Sequence, residues 1–271
     1  MSKVVVVTSG KGGVGKTTSS ASFAIGLAQR GFRTVVVDFD VGLRNLDIVM
    51  GCERRVVYDL INVINGEATL RQALIRDKHV HDLWILPASQ TRDKDALDVV
   101  ALGSVMEELR ENYDYIICDS PAGIEGGAIS AIYYADEAII TCNPEVSSVR
   151  DSDRLLGIIS SKSKRAIMGE EPMLERLLVT RYNPVRVQRK EMLSVDDVHE
   201  ILGIPLLGVI PESEAVLRSS NVGKPVILDR KTTPAQAYED AIDRFLGQDI
   251  KYRFMEPVRQ RFFARLVGAM A

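Results

Sequence analysis

The sequence predicts an α/β fold, built on a mostly parallel, twisted sheet that carries helices on both faces. Apolar runs of strand length are interleaved along the chain with helical patterns, as expected for strands joined by crossover helices. The first run, Val4–Thr8, begins with four consecutive valines and shows no polar alternation. Such a run is typical of a strand that is buried on both faces of a parallel sheet.

The predicted strands are the short apolar runs, and the predicted helices fill the gaps between them. The strands are Val4–Thr8, Thr34–Asp38, Leu83–Pro87, Tyr115–Asp119, Glu137–Cys142, Leu177–Tyr182 and Leu206–Ile210. The helices are Thr17–Gln29, Val56–Ile64, Leu70–Ile75, Ala96–Asn112, Ser147–Ser161, Val195–Leu202 and Pro234–Phe245.

Two stretches are predicted to lie outside this regular structure. Lys162–Glu171 is charged and lacks apolar periodicity, which indicates a surface loop. Near Gln248–Glu256 the last helix has ended and the chain becomes polar before a distinct tail. We therefore predict one domain over residues 1–250, followed by a linker and an amphipathic C-terminal helix over residues 251–271.

Composition and charge exclude several classes of protein. Hydrophobic residues make up 46% and charged residues 26% of the chain, which is the balance of a soluble globular protein. The net charge of −3 gives no overall attraction to nucleic acid. No apolar run approaches the ~20 residues needed to span a bilayer, and the early first strand leaves no room for a signal peptide. Cys52, Cys118 and Cys142 form no C-x-x-C pair, so a cytoplasmic protein without a zinc or iron–sulfur site is expected.

The first strand leads directly into a glycine-rich loop of sequence GKGGVGKTT. It matches the phosphate-loop pattern G-x-x-x-x-G-K-[ST], and it lies between a strand and a helix as that loop requires. Its backbone N–H groups and the helix N-terminus would bind phosphate, Lys16 would neutralise the β- and γ-phosphates, and the Thr17 hydroxyl would bind Mg²⁺. The fold is therefore P-loop NTPase-like, with these predicted nucleotide-binding residues: Gly10, Lys11, Gly12, Gly13, Val14, Gly15, Lys16, Thr17 and Thr18.

Lys11 is a second lysine in this loop, which the minimal motif does not require. With it, the loop resembles the deviant Walker A motif of the MinD/ParA group of ATPases. The resemblance implies that Lys11 reaches across a dimer interface to the nucleotide of the other subunit. A cation supplied in this way would stabilise the transferring phosphoryl group and make hydrolysis depend on dimerisation. Taken alone, the residue could also be a solvated lysine beside an anion site.

Asp38 and Asp40 stand at the end of the second predicted strand. Carboxyl ends of parallel strands face the ligand crevice, and strand alternation places both side chains on the same side. The resemblance implies that both are catalytic: Asp40 orients the attacking water, and Asp38 lies near it and the metal shell. Phosphoryl transfer relies mainly on alignment and charge stabilisation, so a positioned carboxylate is enough. Solvation of a strand end is the alternative.

The fourth predicted strand, Tyr115–Asp119, is an apolar run closed by one acid and followed by Ser-Pro-Ala-Gly. This is the form of a Walker B motif, and it matches the D-x-P-x-G pattern of the same ATPase group. Asp119 is predicted to hold Mg²⁺ through its water shell. Gly123 is predicted to turn its N–H group onto the γ-phosphate, as switch segments do.

The base site is predicted at the ends of the last two strands. The resemblance implies that Asn183 binds adenine, whose edge needs both a donor and an acceptor, and that Pro211 and Glu212 close over the base. Ordinary turn roles remain the alternative for all three residues. Because the chain contains no N-K-x-D element for guanine, ATP with Mg²⁺ is expected rather than GTP.

The C-terminal stretch Arg259–Ala271 has an apolar side and a basic side when drawn as a helix. This pattern suits a helix that lies in the interface of an anionic membrane. At about three turns, the segment is too short to be stably helical alone in water. Packing on the domain or on a partner is the alternative. The predicted membrane-binding residues are Arg261, Phe262, Phe263, Arg265, Leu266 and Val267.

The resemblance covers essentially the whole chain, including the segment Asn143–Asp153 with the sequence NPEVSSVRDSD. It implies an ATP-dependent homodimer on the cytoplasmic face of the inner membrane. This dimer recruits the division inhibitor MinC and is released when MinE stimulates hydrolysis, which places the septum at mid-cell. Asp151 is expected on the partner-facing surface. Alternatively it is an exposed acid that is favourable near a helix N-terminus.

Three other functions fit the sequence less well. A ParA-type partition ATPase shares the loops but binds DNA, which the net charge and the tail disfavour. A flagellar-number regulator of the same group also carries an amphipathic tail, and the Asn143–Asp153 segment disfavours it. A non-enzymatic adaptor would not need the full set of Lys16, Thr17, Asp40 and Asp119. No specific nucleic-acid partner is therefore expected.

Overall fold

A computed structural model describes residues 2–90, 99–124 and 126–256 of the chain. Its strands are β1 (Lys3–Thr8), β2 (Thr34–Asp38), β3 (Ile75–Arg76), β4 (Leu83–Leu86), β5 (Tyr115–Asp119), β6 (Glu137–Cys142), β7 (Leu174–Tyr182) and β8 (Leu206–Pro211). They form one eight-stranded sheet in the order β3-β4-β2-β5-β1-β6-β7-β8. All neighbours are parallel except β3 and β4, which confirms the predicted fold class.

Helices connect these strands and cover both faces of the sheet. The α-helices are α1 (Lys16–Gln29), α2 (Leu46–Met50), α3 (Leu60–Ile64), α4 (Leu70–Ala73), α5 (Val99–Asn112), α6 (Gly126–Tyr133), α7 (Val146–Lys162), α8 (Lys164–Met168), α9 (Pro184–Gln188), α10 (Val195–Leu202), α11 (Glu214–Asn221) and α12 (Thr233–Phe245). Glu53–Arg55 and Val226–Leu228 are short 3₁₀ helices.

The valine run of β1 shows why the sheet strands lack polar alternation. Val4 and Val6 pack in one hydrophobic core, together with residues of α5, α7 and α10. Val5 and Val7 pack in a second core on the opposite face, with residues of α1 and α12. All four valines are fully buried. Both faces of the strand are therefore covered, as the run predicted.

Three predicted segments differ from the structure. The helix predicted over Leu70–Ile75 ends at Ala73, and after Leu74 the chain forms the antiparallel edge strand β3, Ile75–Arg76. The helix predicted over Val56–Ile64 is shorter and begins at a capping box formed by Asp59 and Asn62. The loop predicted over Lys162–Glu171 contains the short helix α8, which Ser163 caps. Capping residues fix the ends of these short elements, and apolar periodicity does not detect them.

The strand register brings the predicted acids together at one edge of the sheet. Asp38, at the end of β2, is paired with Asp119, at the end of β5. Val7 of β1 also pairs with Asp119, and the phosphate loop follows β1 directly. The same edge contains the ends of β7 and β8 at Tyr182 and Pro211. We call this side of the sheet, which is formed by the carboxyl ends of the parallel strands, the nucleotide edge, because the sequence motifs converge there.

Candidate nucleotide and switch site

The phosphate loop connects β1 to α1, and its shape depends on two glycines. Gly13 and Gly15 have φ angles of 74° and 96°, a left-handed conformation that other residues adopt at a cost. The first N–H groups of α1, which starts at Lys16, have no intrahelical partner and lie at the positive end of the helix dipole. This arrangement fits the phosphate groups of a nucleotide.

Lys16 is the buried cation of the loop, with 7% of its surface exposed. Its Nζ donates to Ser9 Oγ at 2.9 Å and to the Lys11 carbonyl oxygen at 3.4 Å. Burial lowers the pKa of Lys16, while the charges of Asp119 and Asp40 raise it. A cation with so little solvent around it interacts strongly with any phosphate that enters the loop.

Asp119 is fully buried beside this lysine. Its Oδ1 accepts a hydrogen bond from Ser20 Oγ at 2.7 Å, and the Thr17 side chain also bonds to it. Burial raises the pKa of Asp119 to about 6, and the bonds from Ser20 and Thr17 act in the opposite direction. A hydroxyl and a carboxylate in contact are the kind of oxygen donors that Mg²⁺ prefers when it also binds phosphates, so these residues fit the predicted metal site.

Asp38 is held by the backbone that follows β2. Its Oδ1 accepts from the Asp40 N–H at 2.8 Å, and its Oδ2 accepts from the Leu46 N–H at 3.3 Å. Burial raises the pKa of Asp38 well above its usual range, and the nearby charge of Asp119 adds to this effect. Both oxygens of Asp38 therefore fix the segment that carries Asp40.

Asp40 lies on that segment, just beyond the end of β2, and is partly exposed. Asn45 Nδ2 approaches its Oδ2 at 3.4 Å, and its charge acts on Lys16. Further along, Arg44 has a left-handed φ of 51° and forms an ion pair with the buried Asp47. These contacts give the segment a defined position at the mouth of the phosphate loop.

The side chain of Lys11 reaches to the start of α7. Its Nζ contacts Glu145 Oε2 at 3.0 Å and Ser147 Oγ at 2.9 Å, at the start of α7. About a third of its side chain, 36%, is exposed. The loop and α7 also meet at Gly10, where a Cβ atom would lie 2.1 Å from the Asp151 carbonyl oxygen. Only glycine fits at this approach of two backbones.

Asp151 is exposed on α7. The helix begins at Val146, a full turn before Asp151 and earlier than predicted. The stabilisation of acids by the helix dipole falls off within the first turn. The helix dipole therefore stabilises Asp151 little, which weakens the interpretation of Asp151 as a helix-end acid.

A cavity of about 650 Å³ opens beside the phosphate loop and extends to the ends of β7 and β8. Its lining includes Gly15 and Thr18 on one side and Pro211 and Glu212 on the other, as a base site requires. Asn183 donates from Nδ2 to Glu212 Oε2 at 3.2 Å, and its Oδ1 caps the N-terminus of α9. Asn183 therefore has a turn role in this structure, and its contact with adenine remains a prediction.

Gly123 has a φ of 92°, and its N–H donates to the Ser9 carbonyl oxygen at 3.2 Å. The predicted turn of this N–H towards a γ-phosphate would have to break that bond. The predicted tail residues, from Arg261 to Val267, lie outside the described part of the chain. Within residues 2–90, 99–124 and 126–256, no helix has the length and apolar character needed to cross a bilayer.

Several residues of this site are not among the predicted site residues. Ser9 and Ser20 bind Lys16 and Asp119, while Glu145 and Ser147 hold Lys11. Ser20 could have been found, because it lies three residues after Thr17 and so on the same face of the helix. The contacts of Lys11 span more than 130 residues of sequence, and no local pattern predicts them.

Comparison with known proteins gives matches along nearly the whole chain. Residues 5–226 match the CobQ/CobB/MinD/ParA nucleotide binding domain. The septum site-determining protein MinD of Escherichia coli (strain K12) is 62% identical over 269 residues, which is 99% of this chain and 100% of that protein. The protein of the same description from Neisseria meningitidis is 63% identical over 271 residues, with 99% and 100% covered.

Solved structures of related proteins share the fold. The MinC:MinD cell division protein complex of Aquifex aeolicus contains a chain that matches with a TM-score of 0.84 and 40% identity, covering 94% of this chain and 100% of that one. The septum site-determining protein MinD complexed with Mg-ADP from Pyrococcus horikoshii matches with a TM-score of 0.79 and 28% identity, covering 90% and 96%.

Proposed function

The chain belongs to the CobQ/CobB/MinD/ParA family of nucleotide-binding proteins, on its septum-site-determining branch, and we propose that it works as an ATP-driven membrane switch. With ATP bound, two chains form a dimer that binds anionic lipid on the cytoplasmic face of the inner membrane. The dimer recruits MinC, and MinE-stimulated hydrolysis releases it. The alternating cycle restricts division to mid-cell.

The predicted family, its ATPase reaction and the cofactors ATP and Mg²⁺ are confirmed by these relatives. The chain is an ATPase with a role in placing the division site. What remains proposed is how its residues divide the work, and how hydrolysis is coupled to the membrane and to partners.

The contrast between the two loop lysines is the observation that carries the proposal. Lys16 is buried against Ser9 and serves the nucleotide of its own subunit. Lys11 is held by Glu145 and Ser147 at the start of α7. An exposed ion pair of this kind is worth about 1 kcal/mol or less, so Lys11 can leave it when a second subunit presents a phosphate. We assign Lys11 the task of binding the partner's nucleotide.

The remaining site residues divide the chemistry within one subunit. The carboxylate of Asp40 orients the attacking water, and Asp38 keeps Asp40 in position through its two backbone hydrogen bonds. Thr17 and Asp119 would hold Mg²⁺, which when bound neutralises charge on the phosphate oxygens. Gly123 would exchange the Ser9 carbonyl oxygen for the γ-phosphate and so report which nucleotide is present.

Membrane binding is assigned to the tail on sequence grounds. One short amphipathic helix binds lipid weakly, whereas two on one dimer gain avidity without any new contact. Asp151 is assigned to the partner surface. It lies on α7, and the start of the same helix holds Lys11. A partner that binds α7 could then change the position of the lysine.

Sedimentation with anionic vesicles tests the membrane part of this proposal. We expect the full chain to sediment with ATP and to remain in solution with ADP. Deletion of residues 259–271 and the substitution Phe263→Glu should each abolish sedimentation, while ATP binding is retained because the tail follows the last domain helix. Arg261→Ala combined with Arg265→Ala should weaken binding only on anionic lipid, by roughly 1 kcal/mol per basic residue.

The possible outcomes separate the alternatives. Sedimentation of the truncated chain would place the anchor elsewhere, and equal sedimentation with ADP and ATP would overturn the two-tail switch. A parallel assay with DNA in place of vesicles addresses the partition ATPase. ATP-dependent pelleting with DNA but not with vesicles would favour that function instead.

A further inference from the structure

The chain does not leave the domain where its last helix ends. The C-terminal residue of α12, Phe245, packs against Tyr115 and Lys3, which begin β5 and β1. Phe245 therefore lies at the amino ends of the parallel strands, on the side of the sheet opposite to the nucleotide edge. Beyond α12 the chain turns back, and Met255 lies at the nucleotide edge, where its carbonyl oxygen accepts from Tyr182 Oη at 3.4 Å. Residues 250–255 thus cross the whole height of the sheet, and we call them the strap.

Arg244 of α12 holds the start of the strap. Its guanidinium donates to the carbonyl oxygens of Ile250 at 2.8 Å and Lys251 at 3.1 Å. The same group donates to the Leu207 carbonyl oxygen at 2.8 Å, and it lies 4.1 Å from the centre of the Tyr252 ring. One side chain therefore joins the helix, the edge strand β8 and the strap.

Tyr252 and Arg253 hold the middle of the strap. Tyr252 Oη donates to the Leu206 carbonyl oxygen at 2.6 Å, so a side chain satisfies an acceptor on the open edge of β8. Arg253 makes two bonds of 2.6 Å to the two carboxylate oxygens of Asp240. This bidentate geometry is the strongest form of ion pair available to arginine, and Asp240 itself is buried.

The far end of the strap contacts the end of β7. Phe254 turns the chain with a left-handed φ of 65°, and Met255 packs against the core that contains Tyr182. Tyr182 directly precedes Asn183, and the carbonyl oxygen of Tyr182 accepts a hydrogen bond from the N–H of Glu212. Met255 therefore lies at the end of β7, beside the residue that precedes Asn183.

We propose that the strap fixes the root of the membrane-binding tail at the nucleotide edge, with Asp240, Arg244 and Tyr252 as its positioning residues. The purpose of this placement rests on the proposed membrane function. Without the strap, the tail would start at the end of α12, at the amino ends of the strands. This point is roughly 20 Å from the nucleotide edge, the length of a six-residue strand.

A released strap would act as a flexible linker of about ten residues. Such a linker has a root-mean-square length of about 16–19 Å, so the tail could still reach the membrane but from a wide range of positions. Effective concentration falls with linker length once the linker exceeds the span that it must bridge. We therefore expect weaker, not abolished, binding of a dimer that carries two tails.

Limited trypsin digestion tests the strap without any membrane. Asp240→Asn keeps the shape of the side chain and removes the charge that holds Arg253. Asp229→Asn is the control, since Asp229 is exposed and the charge change is the same. Cleavage after Lys251 should be several-fold faster in Asp240→Asn than in Asp229→Asn and wild type. Equal cleavage rates would overturn the strap as a held segment.

Vesicle sedimentation with ATP tests what the strap does. Asp240→Asn adds one unit of positive charge, so electrostatics alone would strengthen binding to anionic lipid. The strap predicts the opposite, a three- to tenfold loss relative to Asp229→Asn, at unchanged ATP binding. Binding as strong as that of the control would overturn this role. If wild type itself fails to sediment, the membrane proposal is wrong, and the trypsin comparison still decides whether Asp240 holds the strap.

Discussion

The phosphate loop has an inner side and an outer side, and its two lysines mark the difference. Lys16, on the inner side, is 7% exposed and lies among Ser9, Asp119 and Asp40. Lys11, on the outer side, has a partly exposed side chain, and its charge is balanced by Glu145, whose side chain is more exposed still. The inner side is preorganised for an anion at a cost in desolvation, whereas the outer side is satisfied by a contact that breaks easily.

This difference supports the proposal that one loop serves two subunits. A buried cation cannot change partners, because it would have to move through the packed core. An exposed cation on an ion pair can change partners at little cost in free energy. Binding to the inner side and control from the outer side are therefore separable, and mutations should separate them.

The largest expected effect is that of Lys16→Ala. Loss of the buried cation should lower ATPase activity by roughly 100-fold or more and weaken ATP binding to the same extent. Lys11→Ala should change ATP affinity less than about fivefold, because it removes only an exposed pair, yet it should abolish dimerisation and hydrolysis. Titration calorimetry and sedimentation velocity with ATP measure the two properties. Equal loss of ATP affinity in both variants would contradict the division between inner and outer side.

The second largest effect is expected for Asp40→Ala, which removes a carboxylate at the mouth of the phosphate loop. The variant should bind ATP and dimerise, since we assign the Asp40 carboxylate to the attacking water and not to the phosphates. Hydrolysis should fall about 10- to 100-fold through lost alignment, and the protein should accumulate on vesicles. A phosphate-release assay gives the rate, with Asp229→Ala as the matched acidic control. Turnover at the wild-type rate would remove Asp40 from the mechanism.

The inner side could largely be predicted from sequence, and the outer side could not. The residues from Gly10 to Thr18 lie together in the chain, and the parallel strands that carry Asp38 and Asp119 are identifiable from apolar runs. The loop motif therefore implied its own geometry. Lys11 contacts Glu145 and Ser147 only because the crossover from β6 to α7 places them there, and this placement depends on the whole fold.

Two short elements and the contacts of the C-terminal segment also could not be predicted, because they leave no local sequence pattern. The two residues of β3 are too few to show a period of two, and α8 depends on its Ser163 cap within a charged stretch. The polar composition of residues 251–256 indicated a linker, yet Arg253 and Tyr252 bind the domain through hydrogen bonds of 2.6 Å. Polar contacts of this kind leave no hydrophobic pattern, and the boundary at residue 250 remains a prediction.

A smaller effect concerns the pH dependence of the inner side. Because burial raises the pKa of Asp119 to about 6, the folded chain binds more protons than the unfolded chain between about pH 4 and pH 6. The free energy of unfolding should therefore fall as the pH rises through this window. Asp119→Asn should remove this part of the fall, on the order of 1–3 kcal/mol, while abolishing Mg²⁺-dependent hydrolysis.

Urea unfolding at pH 4.5 and pH 7.5, without nucleotide or metal, measures this difference. The charge-matched control is Asp229→Asn, which changes an exposed acid. Relative to wild type, Asp119→Asn should gain stability between the two pH values and the control should not. If the free energies of unfolding of wild type and Asp119→Asn depended on pH in the same way, the titration of Asp119 would not contribute to the pH dependence of stability.

The smallest effect on the isolated protein is expected on the outer side, at Asp151. Its side chain is exposed, and its backbone and Cβ atom approach the phosphate loop at Gly10. Asp151→Ala keeps both, so it should leave basal ATP binding and hydrolysis unchanged. Stimulation by MinE should need about tenfold more MinE, as expected for the loss of one important interface side chain. Titrating MinE into an ATPase assay with vesicles measures this shift, with Asp229→Ala as the control. Full stimulation at the wild-type MinE concentration would return Asp151 to the status of an ordinary surface acid, and the outer side would then have to receive its signal through other residues of α7.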